Sequence, residues 1–440
     1  LPFKDVFIHA MVQDGHGQKM SKSLGNGVDP RDIIFSHGAD AMRFTLVQMT
    51  TDTQDVRMPV EMVCPHSGVS FEPEFVRTQA GHLVAAPIQV SPQDDSKQMV
   101  SAYGAASGVA EPDKQTPLAR NTSSKFDLGR NFANKLWNAT RFALNRIDEG
   151  LVKDIDLANR PFIDKWIFAR LDETVQKLEE SMDKYQFNIF ADTLYDFVWH
   201  DVCDRYLEAV KPSIDSDPEQ QMVLANLLNA VLRIMHPVCP FVTEALWPHV
   251  RQATSSTVGG VELPDKEILA TASWPKIEIT QSLSASLIND FNSADQLVSL
   301  IRSTRAEQKV KPKQTIELYA PDPVLDLLER VNGYVQILAG IGEVKPLLEA
   351  PSNGSTVITF EGAEIRISGL NSDIDLNAQK VRLEKLIVDK EKQISGFKGR
   401  LSNEGYLSNA KPEVIEETRN LLALAEADLE AAQRSLANLD

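Results

Sequence analysis

The sequence has 440 residues, 42% of them hydrophobic and 24% charged, with a formal net charge of −17. This composition excludes a wholly disordered chain, a collagen-like repeat and, with three cysteines, a disulfide scaffold. At roughly 150 residues per domain the length implies about three domains, and the acidic total makes the local placement of basic residues more informative than the sum.

The first residue is Leu1 rather than Met, and no basic-then-apolar leader follows it, so the chain is expected to be processed or a piece of something longer. The most apolar stretch, Val223 to Val242, is interrupted by Asn226, Asn229, Arg233 and His236 and does not read as a membrane span. Cys64, Cys203 and Cys239 fit a reducing compartment, hence a cytoplasmic protein. Cys64-Pro-His66 has no second Cys/His pair at finger spacing, and no metal site is expected.

Residues Val6 to Val12 read as a short strand, broken by Asp14-Gly15 and His16-Gly17. A polar loop follows, Gln18 to Asn26, and then a helix start with Asp29 as cap and Pro30 in the first position. A second helix runs near Ala39 to Met49. From 58 to 124 proline recurs without sustained periodicity, which reads as a partly disordered insertion with short strands around Phe75 and Leu83 to Val90.

Helical spacing resumes at Phe126. Phe132, Leu136, Trp137 and Leu144 mark one helix, and Phe162, Trp166, Leu171 and Leu178 the next. Phe190, Leu194, Phe197 and Leu207 mark a third, and Leu224, Leu228, Val231 and Met235 a fourth, with a shorter one from Pro240. Residues 125–280 are therefore expected as a helical bundle with its Trp and Phe stripes in the core. Residues 281–370 read as a small α/β unit with helices at Phe291 to Gln308 and Val324 to Leu338, strands at Thr315 to Tyr319 and Val344 to Leu347, and a hairpin turning at Glu361-Gly362.

The segment 371–440 holds the clearest pattern. Leu383, Ile387, Lys390, Ile394, Phe397 and Leu401 form one heptad seam. Ile415, Thr418, Leu422, Ala425, Leu429, Ala432, Leu436 and Leu439 form another. The turn between them, Ser402 to Pro412, makes an antiparallel coiled-coil hairpin. Its outgoing arm is basic and its return arm acidic. A charged arm is ordinarily a solvated face, but on an acidic chain it also points to an anionic partner such as a nucleic-acid backbone. A protein-binding or dimerising hairpin is the structural alternative.

The chemistry sits in the loop Gly17-Gln18-Lys19-Met20-Ser21-Lys22-Ser23-Leu24-Gly25-Asn26. Two lysines three apart can meet polyphosphate as mobile point charges, while hydroxyls and backbone N–H groups add donors. Nucleotidyl transfer is largely positioning and charge neutralisation, which such a loop suits. For Lys-x-x-Lys alone, a solvated turn would be the bland reading.

The full loop resembles the signature loop of class I aminoacyl-tRNA synthetases. His37-Gly38-Ala39-Asp40-Ala41-Met42-Arg43-Phe44, Asn131-Phe132-Ala133-Asn134-Lys135-Leu136-Trp137-Asn138-Ala139 and His236-Pro237-Val238-Cys239-Pro240-Phe241-Val242-Thr243-Glu244 resemble the valyl, isoleucyl and leucyl group. The turn Leu401-Ser402-Asn403-Glu404-Gly405-Tyr406 between its seams is similar to the C-terminal arm of the valyl-tRNA synthetase family. That family's other signature, His-x-Gly-His, is absent from the eight histidines, and so is its editing domain.

The resemblance implies a mainly α chain: residues 1–57 as the end of the catalytic domain, then the insertion, an anticodon-binding bundle, the small α/β unit and a tRNA-binding arm. It implies ATP as substrate, with Mg2+ in the full enzyme, and valyl transfer to tRNA(Val). Lys22 and Lys19 would act on the phosphates, and Met20, Ser21 and Ser23 would shape the loop. Arg130, Asn134 and Arg141 on the bundle and Lys385, Lys392, Lys398 and Arg400 on the arm would meet tRNA. A monomer that is inactive without its nucleotide-binding half is expected. The alternatives are a free-standing tRNA-binding module or scaffold, and another synthetase of the isoleucyl/leucyl group.

Overall fold

The computed structural model describes residues 4–51, 54–147, 154–259, 261–277, 281–311, 313–351, 354–370, 376–410 and 412–437. It is mainly helical with small sheets and divides into two compact units, residues 1–160 with 167–280, and residues 161–166 with 281–440.

The first unit opens with β1 (Val12–Asp14), α1 (Pro30–His37), α2 (Ala39–Met49) and β2 (Val56–Met58), with β2 parallel to β1. The strand expected at Val6 to Val12 is displaced toward the turn. Only Val12 to Asp14 have a neighbouring strand among the described residues, and Val6 and Ile8 stand 81% and 85% exposed. Asp29 caps α1 through the Arg31 amide at 2.8 Å, and Pro30 begins the helix where its missing N–H costs nothing.

Residues 58–124 differ from the expectation of partial disorder. They contain β3 (Glu61–Val63), β4 (Ser70–Phe71), β5 (Phe75–Arg77), β6 (Leu83–Ala85), β7 (Ile88–Ser91), β8 (Asp94–Val100), α3 (Ala102–Ser107) and β9 (Arg120–Thr122). β3 lies between β4 and β9, and β5–β6 and β7–β8 are hairpins. The recurrent prolines forbid long ladders but permit short ones. Met62, Cys64, Met99 and Ala119 supply a small dry core with Phe71 and Ala85 against it.

α4 (Phe126–Leu144), α5 (Phe162–Asp183) and α6 (Phe187–Tyr195) follow. α6 continues through a wide π-helical stretch, Asp196–Tyr206, into α7 (Leu207–Val210), and α8 (Pro218–Met235) and α9 (Pro240–Ala253) complete the bundle. α8 is buried on every side from Gln220 to Met235, which makes it the central helix. The Asn226 side-chain NH₂ donates to the carbonyls of Met222 and Ser256 at 2.9 and 2.7 Å. Trp137, expected in the core, is 44% exposed on the outer side of α4.

The second unit takes α10 (Gln281–Glu307), β10 (Ile316–Ala320), α11 (Asp322–Arg330), α12 (Tyr334–Ala339), β11 (Ile341–Pro346), β12 (Ser355–Phe360) and β13 (Ala363–Ser368). The sheet order is β11-β10-β13-β12, parallel only between β10 and β11. The single helix expected over Val324 to Leu338 is two, because Asn332 and Gly333 adopt φ of 43° and 82° between them. Glu361 and Gly362 make the expected turn with φ of 47° and 75°. Residues 161–166, expected in the bundle, group with this unit, and Trp166 stacks on Phe291 with centroids 3.6 Å apart.

α13 (Leu376–Leu401), α14 (Glu404–Asn409) and α15 (Pro412–Ala437) form the hairpin. Leu383, Ile394, Thr418, Ala425 and Ala432 are buried along the two seams, while the last seam position, Leu439, lies outside the described residues. The Tyr406 and Thr418 hydroxyls meet at 2.8 Å where the hairpin closes.

Candidate functional site

The lysine loop hangs from β1. The Asp14 and Met20 amides donate to the Gln18 and Val12 carbonyls at 2.9 and 3.3 Å, so the chain doubles back before the lysines begin. The buried Asp14 carboxylate staples the loop, accepting from the amides of His16 and Gln18 at 3.0 and 2.9 Å and from the side chains of Gln18 and Asn26 at 3.2 and 2.8 Å. Burial alone would raise its pKa, but these donors reverse the effect and hold it below the ordinary value. Asn26 also accepts from the Ser21 amide at 2.9 Å.

Within the loop the roles divide by side chain. Met20 packs with Val28, Met42 and Met49 against the buried Ile33, Met58 and Phe126 and anchors the loop. Lys19, Lys22 and Ser23 are exposed. Neither ammonium has an ion pair among the described residues. The Ser21 and Ser23 hydroxyls lie 3.2 Å apart, and Ser21 Oγ accepts from the Leu24 amide at 3.2 Å. The loop thus presents two exposed ammoniums with two hydroxyl groups beside them. Among the described residues no group of three or more His, Cys, Asp or Glu lies close enough together to hold a metal ion. His66 Nε2 instead lies 2.9 Å from the Gln98 carbonyl, and the Cys64 thiol donates to Ser91 Oγ at 3.4 Å.

Two of the singled-out motifs meet directly. The buried Asp40 on α2 accepts from the amides of Phe241 and Val242 at 3.0 and 2.6 Å, capping the first turn of α9 with a carboxylate. Arg43 donates to the Pro237 carbonyl at 2.9 Å. The helix that follows the loop is thereby bolted to the bundle.

Arg130, Asn134 and Arg141 all lie on α4, within roughly 60° of one another at 3.6 residues per turn, and Trp137 stands between them. Asn134 and Arg141 are exposed, and Arg130 reaches Asp127 at 2.6 Å. Sequence reasoning assigned Trp137 to the core. Its seven-residue spacing from Arg130 was the signal that it shares their face.

On α13 the four basic candidates separate. Lys385, Lys392 and Arg400 are exposed and fall within roughly 80° of one another. Lys398 points elsewhere and pairs with Glu426 of α15 at 2.7 Å. The structure therefore brings three of the four onto one face and gives the fourth to the acidic arm. Lys390 likewise pairs with Asp428 at 2.6 Å across the seam.

Comparison with known proteins gives three matches along the chain. Residues 1–59 match the class I tRNA synthetases (I, L, M and V), residues 164–320 the anticodon-binding domain of tRNA ligase, and residues 375–440 the valyl tRNA synthetase tRNA binding arm. A valine–tRNA ligase of Rhodopirellula baltica is 34% identical over all of the chain and 42% of its own length. One of Thermotoga maritima is 30% identical over 96% of the chain and 40% of its own length. The chain spans about two-fifths of the relatives it matches. A solved LeuRS–tRNA complex of Agrobacterium radiobacter overlaps 71% of the chain and 25% of its own at 17% identity, with a TM-score of only 0.35.

Proposed function

Because the chain corresponds to a C-terminal portion of the valyl-tRNA synthetase family, we propose that it works within a valine–tRNA ligase of which it supplies the phosphate loop and the tRNA-holding surfaces. In the reaction a valine carboxylate oxygen attacks the α-phosphorus of ATP, and the bond to the bridging oxygen breaks. Pyrophosphate leaves. The valyl group then passes from the adenylate to a ribose hydroxyl at the 3′ end of tRNA(Val), releasing AMP.

Lys22 steadies the charge that builds as pyrophosphate departs, and Lys19 assists from the other side of Met20. Ser21 and Ser23 give hydroxyl donors, and Met20 holds the loop to its base. The valine pocket and the adenine site belong to the nucleotide-binding half, which would come from elsewhere in the same cytoplasmic, monomeric protein. Arg130, Asn134 and Arg141 offer hydrogen bonds to splayed anticodon bases, with Trp137 beside them as a stacking plane. Lys385, Lys392 and Arg400 meet the tRNA backbone.

The observation that carries this reading is the loop itself: two exposed ammoniums on a backbone anchored at both ends. In the full enzyme, Lys22→Ala is expected to slow valine-dependent ATP–pyrophosphate exchange by about 10²- to 10³-fold, as for other lost charge-stabilising donors. An undiminished rate would remove Lys22 from the reaction. Binding of this chain to a valine-accepting tRNA should weaken when the anticodon is exchanged. Equal binding would take the α4 face off the anticodon.

A further inference from the structure

The segment that follows β2 does not stand apart from the lysine loop. Asn121, buried on β9, donates its amide to the carbonyls of both Gly25 and Gly27, at 2.8 and 2.7 Å. Gln18 makes a reciprocal pair with Leu83 on β6, its amide donating to the Leu83 carbonyl at 2.7 Å and its oxygen accepting from the Leu83 N–H at 2.9 Å. Gly25, at φ 58°, packs so closely on the backbone of α3 that a Cβ would sit 2.2 Å from the Tyr103 nitrogen. His16 meets the Phe75 ring edge-on at 4.7 Å.

These contacts share a pattern. All fall on backbone carbonyls, on glycine or on the residues before Lys19. Lys19, Lys22 and the hydroxyls of Ser21 and Ser23 have no partner in the segment among the described residues. The segment also carries its own core, so it is stiff enough to hold something. It lies between the regions matched by the synthetase and anticodon-binding families.

We infer that residues 61–122 are a clasp that fixes the backbone of the lysine loop, with Asn121 and the Gln18–Leu83 pair as positioning groups. The inference rests on reading the loop as the ATP-phosphate loop. A mobile lysine loop would have to be ordered at each turnover. The clasp orders it in advance and leaves the two ammoniums free to reach phosphate.

The test is Asn121→Asp, which keeps the side chain's shape but replaces the donor with a carboxylate facing two carbonyl oxygens. Asn121→Ala is run beside it, because it removes the donors without adding a charge. Amide exchange of residues 19–27 is expected to rise about tenfold or more in either variant while α8 stays protected. In the full enzyme, kcat for valine-dependent ATP–pyrophosphate exchange is expected to fall about tenfold, with the ATP KM within about twofold. That loss should largely vanish in a Lys22→Ala background, since a clasp acts through the lysine it positions. Unchanged loop exchange in both variants overturns the clasp. A kcat loss that persists in full without Lys22 overturns its positioning role. If Lys22→Ala alone leaves the rate intact, the phosphate-loop reading fails, and the amide exchange still decides whether the clasp exists.

Discussion

At the scale of single residues, the lysine loop depends on Asp14 more than on the lysines that give it its chemistry. Four N–H donors converge on one buried carboxylate and hold its pKa below the ordinary value. The sign of the linkage follows. Asp14 is easier to ionise in the folded loop than in the unfolded chain, so its contribution is complete above the unfolded value of about 3.9. It is lost as pH falls through the lower folded value. Protection of the Gln18 and Ser21 amides should therefore hold to about pH 4 and fail below it, as followed by NMR during acid titration. Asp14→Asn, which sets an NH₂ among donors, should loosen the loop by about 1–3 kcal/mol at neutral pH and flatten that acid transition. An acid transition that survives in Asp14→Asn would have to belong to another group. Lys19 and Lys22 stand out in the sequence because two cations between glycines are conspicuous in one dimension. Asp14 read only as half of a turn, and Asn121 not at all, because its role depends on a contact 96 residues away in the chain.

At the scale of elements, periodicity was legible and irregular backbone was not. The two seams of α13 and α15 could be read because a repeat of 3.5 residues needs no tertiary information. The segment 58–124 was legible only in part: short strands around Phe75 and within Leu83 to Val90 are expected and present, but over the rest, strands of two to seven residues between prolines have too few positions to display alternation. Its order comes from Met62, Met99 and Ala119 meeting across long loops. Trp137 was misjudged for a related reason: an aromatic at helical spacing reads as core until the helix's outer face is known. The seam also explains its own exception. Lys390 occupies an apolar position, and Asp428 answers it while also accepting from the Gly362 amide at 2.8 Å. One carboxylate thus holds the coiled coil together and ties it to the β12–β13 turn. Removing the cation and removing the anion should then differ. Lys390→Met takes the counter-ion from a largely buried carboxylate but leaves Asp428 its amide partner, and should cost about 1–2 kcal/mol. Asp428→Ala strands the Lys390 ammonium and the Gly362 N–H together, and should cost about 2–4 kcal/mol. Urea denaturation followed by helical circular dichroism, with amide exchange at Gly362, separates the cases. Equal losses in the two variants would mean that the ion pair alone matters.

At the scale of the whole molecule, the charge distribution is more informative than its sum. A chain of net charge −17 should repel a polyanion at long range, so any tRNA binding must come from local faces that concentrate the cations. α13 has such a face, and the structure divides its basic residues into two classes that composition cannot separate. Lys385, Lys392 and Arg400 share one exposed side, whereas the Lys398 ammonium is already neutralised by Glu426. Counterion release makes the difference measurable. Each cation that replaces a condensed ion on the tRNA backbone adds about 0.7–0.9 to the slope of log affinity against log salt. Replacing Lys385, Lys392 and Arg400 together by Gln should therefore lower that slope by about 2–3 and weaken binding steeply at low salt. Lys398→Gln should leave the slope nearly unchanged, because its counterion on the free protein is Glu426 rather than an ion from solution. Isothermal titration of valine-accepting tRNA across a salt series reads both. A Lys398 effect as large as that of the others would mean that the Lys398–Glu426 pair opens on binding and that the arm meets tRNA along the seam between its helices. A triple variant with the parent slope would take the arm off the tRNA backbone and leave this face to a protein partner.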